Sequence, residues 1–212
     1  MNFALAMILT AAPDATLLDQ LSDQTLAMET FWNKAACQLD VSADEKDGAG
    51  KVTKTVKTSL RVSRDGTHVT RKLLSHEENG KDLTEAKRTE IEGKEGTKTA
   101  KSPFHPTVRA TYKFELVKPD RIAFEPLGAR TEDNLIGEAS IDPQNGRVLA
   151  LTMRPGKFPM FVQELEIHVE FAANTPSGKG MSLLTVNGLA GALFFKKRFS
   201  VVTAFSDYAA LP

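Results

Sequence analysis

Among the side chains that could do chemistry, only His168 stands between carboxylates at a useful spacing. Glu166 and Glu170 lie two residues to either side, and a β-strand would place all three on one face. Such a group could bind a metal ion, but a row of charged side chains is more typical of a face in contact with water. We therefore expect no metal site. The other histidines form no helical metal pair: His68, His76 and His105.

Sequence motifs for catalysis are absent. The chain has no G-x-S-x-G, no Walker loop and no dinucleotide fingerprint. Gly188 and Gly191 fit turns or bulges better than a phosphate cradle. Cys37 is the only cysteine, which excludes an intrachain disulfide, and its apolar neighbours predict a buried, inert thiol. We expect no catalytic residue and no cofactor, and a hydrolase or metal enzyme is the weaker alternative.

The charge balance argues against a nucleic-acid partner. Lys and Arg total 27, and Asp and Glu also total 27, so the formal net charge is zero. Nucleic-acid binders normally carry a basic excess. Strong electrostatic binding to a membrane surface is not expected either, although local patches are compatible with this balance. The length of 212 residues suits one domain, which we place at residues 13–212.

The first twelve residues differ from the rest of the chain. Residues 3–12 form an apolar run of signal-peptide length, followed by Pro13. We interpret residues 1–12 as an export signal, and a plain N-terminal helix or tail is the alternative. No other segment is long and apolar enough to span a membrane, so no transmembrane segment is expected.

A helix is predicted after Pro13, because apolar residues recur at helical spacing. Asp14 or Thr16 is expected to cap it. We expect its apolar side to pack on a sheet; as a sharper alternative, Phe31 and Trp32 line a ligand cavity beneath it. The apolar stripe consists of Leu17, Leu21, Met28, Trp32 and Ala35.

Strand periodicity dominates the rest of the chain. Val52–Val62 and Thr67–Leu74 alternate apolar and polar residues, as does Leu165–Phe171. The clearest hairpin is Leu135–Met153, in which D-P-Q-N-G separates two apolar runs. Phe199–Phe205 predicts the last strand. Consecutive hairpins predict a mainly β (α+β) fold with a curved antiparallel sheet, either closed as a barrel or open as a half-barrel.

A charged excursion, Ser75–Pro106, interrupts these strands. Within it, Leu83–Ile91 predicts a short helix ended by Gly93 or Gly96, and Thr97–Pro106 predicts a mobile loop. Charges of both signs usually mark a solvated face. The functional alternative is a flap over one mouth of the sheet.

Phenylalanine is abundant, with twelve residues against one Trp and two Tyr. This side chain adds bulk without a hydrogen-bonding atom, so it can fill a core or hold an acyl chain. The sequence is compatible with both a filled core and an acyl-binding cavity. The candidate residues for an apolar cavity are Trp32, Phe114, Phe124, Phe161, Phe171, Phe195, Phe199 and Phe205.

Two stretches resemble a known family. G-E-A-S-I-D-P-Q-N-G-R-V-L-A-L, residues 137–151, looks like the D-P-x-[ST]-G hairpin of LolA/LolB-like lipoprotein-localisation factors, with Asn145 in place of a hydroxyl residue. L-F-F-K-K-R-F-S-V-V-T-A-F-S-D-Y, residues 193–208, resembles their closing strands. The layout of helix, long meander and helical excursion is similar as well.

The resemblance implies an open half-barrel with an N-terminal helix and a short lid-like helical excursion. It implies a non-enzymatic, monomeric carrier or binder of an acylated ligand (lipoprotein or lipid), exported to the periplasm and soluble or peripherally associated with the envelope. Carriers of that family hold the lid with an arginine near the cavity, for which Arg61 and Arg71 are candidates. The alternative is a protein-interaction or envelope-sensor module with a filled core and an envelope protein partner.

Overall fold

The computed structural model describes residues 12–94, 101–192 and 195–212. Within these ranges the protein is mainly β, with two α-helices, α1 (Ala15–Trp32) and α2 (Thr84–Glu92). The strands β1 to β13 are, in order, Lys34–Lys46, Val52–Asp65, His68–Glu78, Lys81–Asp82, Tyr112–Lys118, Arg121–Pro126, Leu135–Asp142, Arg147–Pro155, Val162–Glu170, Ala173–Thr175, Gly178–Gly180, Leu183–Ala192 and Phe195–Ala210.

Eleven of these strands form one curved antiparallel sheet. Its order is β4-β3-β2-β1-β13-β12-β9-β8-β7-β6-β5, and β10 and β11 pair separately as a small hairpin. The chain starts in the middle of the sheet, runs outward to β4, crosses to the opposite edge at β5, and returns strand by strand to β1. The edge strands β4 and β5 do not pair with each other, so the sheet is open.

The predicted first helix is present but shorter than expected. The Asp14 side chain caps it by accepting a hydrogen bond from the Thr16 amide at 3.0 Å, as predicted. The helix ends at Trp32, so Ala35 belongs to β1 rather than to the helix. No helix in the described part of the chain is long and apolar enough to cross a membrane.

Strand β1 is the one long strand of the sheet that the sequence patterns did not predict. The predicted helical stripe runs to Ala35, and the next predicted strand begins only at Val52. The signal was nevertheless present, because Cys37, Leu39 and Val41 alternate with polar residues. β1 continues to Lys46.

Strand register decides which side chains share a face. Residues paired directly across an antiparallel sheet point to the same side. Val169 pairs with Leu151 on one neighbouring strand and with Leu184 on the other, and Leu184 pairs with Thr203. This row lies on the side that packs against α1. We call that side the inner face, and the opposite side the outer face.

Side chains fill the inner face beneath α1. Leu21 of the helix is fully buried there together with Phe104 and Ile122. Phe104 stacks on Phe114 with ring centroids 5.2 Å apart and meets Phe124 edge-on at 6.0 Å. The buried members of the cluster are Leu21, Phe104, Ile122, Phe124, Leu135, Ala139, Ile141, Val148, Leu151 and Val169.

The prediction of a mobile loop at the end of the charged excursion is wrong around Phe104. Of the predicted mobile loop Thr97–Pro106, residues 97–100 lie outside the described residues, as does Gly96. Residues 103–105 are buried, since Phe104 completes the core. The short helix is confirmed at Thr84–Glu92, with Gly93 as its C-cap.

The predicted hairpin is confirmed as β7 and β8. Asp142 organises its turn, because one carboxylate oxygen accepts hydrogen bonds from the amides of Gln144 and Asn145, at 3.1 and 3.3 Å. Gly146 has a φ of +55°, a conformation that suits glycine. A Cβ there would also lie 2.3 Å from the Cβ of Gln20, so the turn fits directly against α1.

Gly146→Ala is expected to lower the free energy of unfolding by about 1–3 kcal/mol, because it adds both backbone strain and a collision with α1. Chemical denaturation measures the change. Gly48→Ala is the control, since a Cβ at Gly48 meets nothing within 4 Å. Equal free energies of unfolding for the two variants would show that neither backbone strain nor contact with α1 limits the residue at position 146.

Candidate functional site

Helix α2 is attached to the free edge of β3 by two of its own side chains. The Leu73 amide donates to Oε1 of Glu92 at 2.9 Å, and the Leu73 carbonyl accepts from Nη1 of Arg88 at 2.9 Å. Arg88 and Glu92 also form an ion pair with each other at 3.2 Å. The pair satisfies backbone groups that an edge strand would otherwise leave to solvent.

The two arginine candidates have different surroundings. Nη1 of Arg71 donates to the carbonyl of Lys94, just after α2, whereas Nη1 of Arg61 donates to the carbonyl of Asp207 at 2.9 Å. Arg71 therefore contacts the helical excursion and Arg61 contacts β13. No sequence signal singles out Arg88, because its role depends on which strand edge α2 reaches.

Glu92→Ala is expected to accelerate hydrogen exchange at the Leu73 amide by roughly ten- to hundredfold, because a charge-assisted hydrogen bond contributes about 1.5–3 kcal/mol. Exchange measured by NMR at that amide gives the result. Glu90→Ala is the matched control, since Glu90 pairs with Lys87 on the outward side of the same helix. An unchanged Leu73 rate in Glu92→Ala would contradict this attachment.

Polar contacts hold α1 against the segment that carries Phe104. The buried Ser22 hydroxyl donates to the Phe104 carbonyl at 2.6 Å and accepts from Nη1 of Arg109 at 3.1 Å. Nε2 of the buried His105 lies 2.5 Å from a carboxylate oxygen of Glu29. Because the Thr107 amide donates to Nδ1 of His105 at 3.2 Å, the ring hydrogen lies on Nε2 and points at that carboxylate.

Ser22→Ala is expected to destabilise the protein by about 1–3 kcal/mol, because it leaves the buried Phe104 carbonyl without its donor. Thermal and urea unfolding report the loss. Thr30→Ala serves as the control, since Thr30 is exposed on the same helix and its hydroxyl bonds only to the Leu26 carbonyl. A stability equal to that of the control would show that water replaces the hydroxyl.

The eight predicted cavity residues do not share one environment. Phe114 and Phe124 belong to the filled region, and Phe171 packs at its border. Trp32 lies edge-on to Tyr208, with ring centroids 6.0 Å apart. The remaining members are Phe161, in the loop before β9 and largely exposed; Phe199 and Phe205, half-buried on β13; and Phe195, whose side chain lies outside the described residues.

Between the two helices the inner face is only partly covered. α1 contacts β1, β8 and β11, while α2 contacts β3. One row of paired residues in between runs across five strands, and all its side chains are apolar and half-buried. It consists of Ile167, Val186, Val201, Ala43 and Val56.

The next row of this face brings an aromatic ring against a glycine. Leu165, Gly188 and Phe199 are paired neighbours. A Cβ at Gly188 would lie 2.2 Å from the far end of the Phe199 ring, so the ring occupies the space above the glycine. We call the two rows together the open inner face.

Charged pairs border the open inner face at one end. Nζ of Lys197 lies 2.7 Å from a carboxylate oxygen of Glu45, and Nζ of Lys54 lies 3.2 Å from Glu78. The lysine hydrogen bond is the main cause that lowers the pKa of Glu45. The pKa of Glu78 is also lowered, first by its hydrogen bond with His76. An apolar surface with a charged margin suits a ligand with an apolar chain and a polar head.

The outer face carries a different feature, a groove of about 1210 Å³ with a mixed polar and apolar lining. His168 lies in it, with Nδ1 2.9 Å from the Thr152 hydroxyl and Nε2 3.4 Å from Glu170. Across the described ranges, no three His, Cys, Asp or Glu side chains stand close enough to hold a metal ion. One ion pair between two of its lining residues, Arg198 and Glu164, has a separation of 3.3 Å.

The thiol prediction is confirmed. Cys37 is fully buried in β1, and burial raises its pKa to about 12, so the thiol is protonated and inert near neutral pH. Burial likewise raises the pKa of Tyr208, whose hydroxyl donates to the Met181 carbonyl at 2.8 Å.

Comparison with known proteins identifies no family for this chain. No family model and no curated protein matches it. A structure of MucB in complex with MucA(peri) aligns at 9% identity over 94% of this chain and 100% of that chain, with a TM-score of 0.24. The MucA/MucB complex of Pseudomonas aeruginosa aligns at 9% identity over 92% and 99%, also with a TM-score of 0.24. Likeness at this level carries no argument about fold or function.

Proposed function

We propose that this protein is a non-enzymatic, periplasmic binding or carrier protein for an acylated ligand, a lipoprotein or a lipid. The acyl chain lies on the open inner face of a half-barrel, between α1 and α2. The observation that carries the proposal is the row of half-buried apolar side chains on that face, centred on Val201 and Val186.

Desolvation would drive this binding. The open inner face offers aliphatic side chains and the Phe199 ring, and a saturated chain gains about 0.8 kcal/mol for each methylene that leaves water. These side chains are half-buried rather than exposed, and the apolar surface that they still present to water is what a chain would cover. The region under α1 is filled, so the chain must lie beyond the helix rather than beneath it.

The charged margin supplies a place for the polar head. Lys197 and Lys54 lie where the apolar rows end, each beside a carboxylate. A phosphate or carboxylate head could exchange places with Glu45 or Glu78 at these ammonium groups. The export signal expected at residues 1–12, almost all outside the described residues, and the hairpin resemblance agree with a periplasmic location.

Val201→Asp is expected to weaken acyl binding by at least about tenfold, because a carboxylate would replace a methyl surface in contact with the chain. Native mass spectrometry and titration with a fluorescent fatty acid measure uptake. Val202→Asp is the matched control, since the adjacent residue of the same strand points to the outer face and is already exposed. Circular dichroism establishes that both variants are folded. Equal uptake by the two would refute the assignment of this face.

A protein-interaction or sensor module is the second candidate. The filled region around Leu21 and Phe104 favours it, since that half of the inner face has no room for a ligand. In this case the charged surface of α2 would contact an envelope protein partner. Failure of the folded, unaltered protein to take up any acyl probe would leave this candidate in place of the first.

A further inference from the structure

The most exposed apolar side chains of the described residues lie at the same end of their strands. The exposed fractions are 79% for Met160, 66% for Leu127, 63% for Phe161 and 46% for Val52. Pairing places the loop after β6, the loop after β8 and the start of β2 at the same end of their strands. We call this the loop end.

Backbone hydrogen bonds join the two long loops at this end. The Gly156 amide donates to the Asn134 carbonyl at 2.7 Å, and the Lys157 amide donates to the Thr131 carbonyl at 2.9 Å. The loop with Leu127 and the loop with Met160 are therefore neighbours. Exposed apolar side chains scattered singly would need no explanation, but Leu127, Met160 and Phe161 protrude from two joined loops, and such a group marks an interaction surface.

Phe161 adds an independent observation. Its φ is +67°, a left-handed conformation that is unfavourable for a bulky residue. The Gly191 amide donates to its carbonyl at 2.8 Å, and the Val162 amide donates to the Pro159 carbonyl at 3.0 Å. The backbone is thus held in a strained form that leaves the aromatic ring in water. Strain of this kind, at an exposed site, is typical of a functional position.

Basic side chains accompany the apolar ones. Lys157 and Lys196 are exposed at the loop end, and within the described ranges neither forms an ion pair. Two carboxylates, Glu132 and Asp133, lie on the neighbouring loop. The apolar side chains would therefore provide most of the attraction to a partner, and the free lysines would favour one with negative charge.

We propose that the loop end docks on a lipid bilayer that contains anionic lipid. Met160 and Phe161 insert among the acyl chains just below the headgroups, and Lys157 and Lys196 contact lipid phosphates. A bilayer fits because a few protruding apolar side chains with flanking cations match its interface, and they require no complementary pocket. This inference goes beyond the proposed function and does not depend on it.

The experiment is flotation of the full chain with two kinds of vesicle, one of phosphatidylcholine and one of phosphatidylcholine with equal parts phosphatidylglycerol. The double variant Met160→Ser with Phe161→Asn tests the inserted side chains, since Asn tolerates a positive φ. Its partitioning is expected to fall by at least about tenfold. The control is Leu74→Ser with Leu149→Ser, which removes two exposed apolar side chains away from the loop end.

Each outcome either supports or overturns the bilayer proposal. Loss of flotation in the double variant alone, with stronger binding to the anionic vesicles, supports the proposal. Three results would overturn it: no flotation of the unaltered protein, an equal loss in both variants, or equal binding to both kinds of vesicle. The first of these results would mean that the loop end binds a protein instead of a bilayer. Val201→Asp separates this test from acyl uptake, because that variant is expected to float like the unaltered chain.

Discussion

The pairing of β1 with β13 is the interaction on which the rest of the sheet depends. It joins Ala35 to Ala210 at one end and Lys46 to Arg198 at the other. Without it, the strands near the N-terminus and the strands of the C-terminal meander would be two sheets, each with an exposed edge. The pairing also buries Cys37 and places the Tyr208 ring edge-on to Trp32, the last residue of α1.

One consequence is a single inner face with two different parts. Over the meander, Leu21 of α1 and Phe104 pack into one cluster of buried apolar side chains. In the rows of the open inner face, which cross β9, β12, β13, β1 and β2, the apolar side chains stay half-buried. A ligand bound as proposed on the half-buried part could come and go without opening the core.

Polar groups decide where the helices lie. Ser22 and Glu29 attach α1 to the Phe104 segment, while Arg88 and Glu92 attach α2 to the edge of β3. Each contact satisfies a group that would be costly to leave unpaired, and each acts between residues far apart in sequence. The outer face, by contrast, is a polar surface in which His168 contacts a threonine and a glutamate.

The sequence by itself determined the local elements. Alternation and turn chemistry located the β7–β8 hairpin, and helical spacing with an Asp14 cap located α1, because these signals act between near neighbours. Only the tertiary structure decided that β13 returns to β1, that Phe104 leaves its loop for the core, and that Phe161 points into water. Those outcomes depend on which distant surfaces meet, and periodicity along the chain carries no information about that.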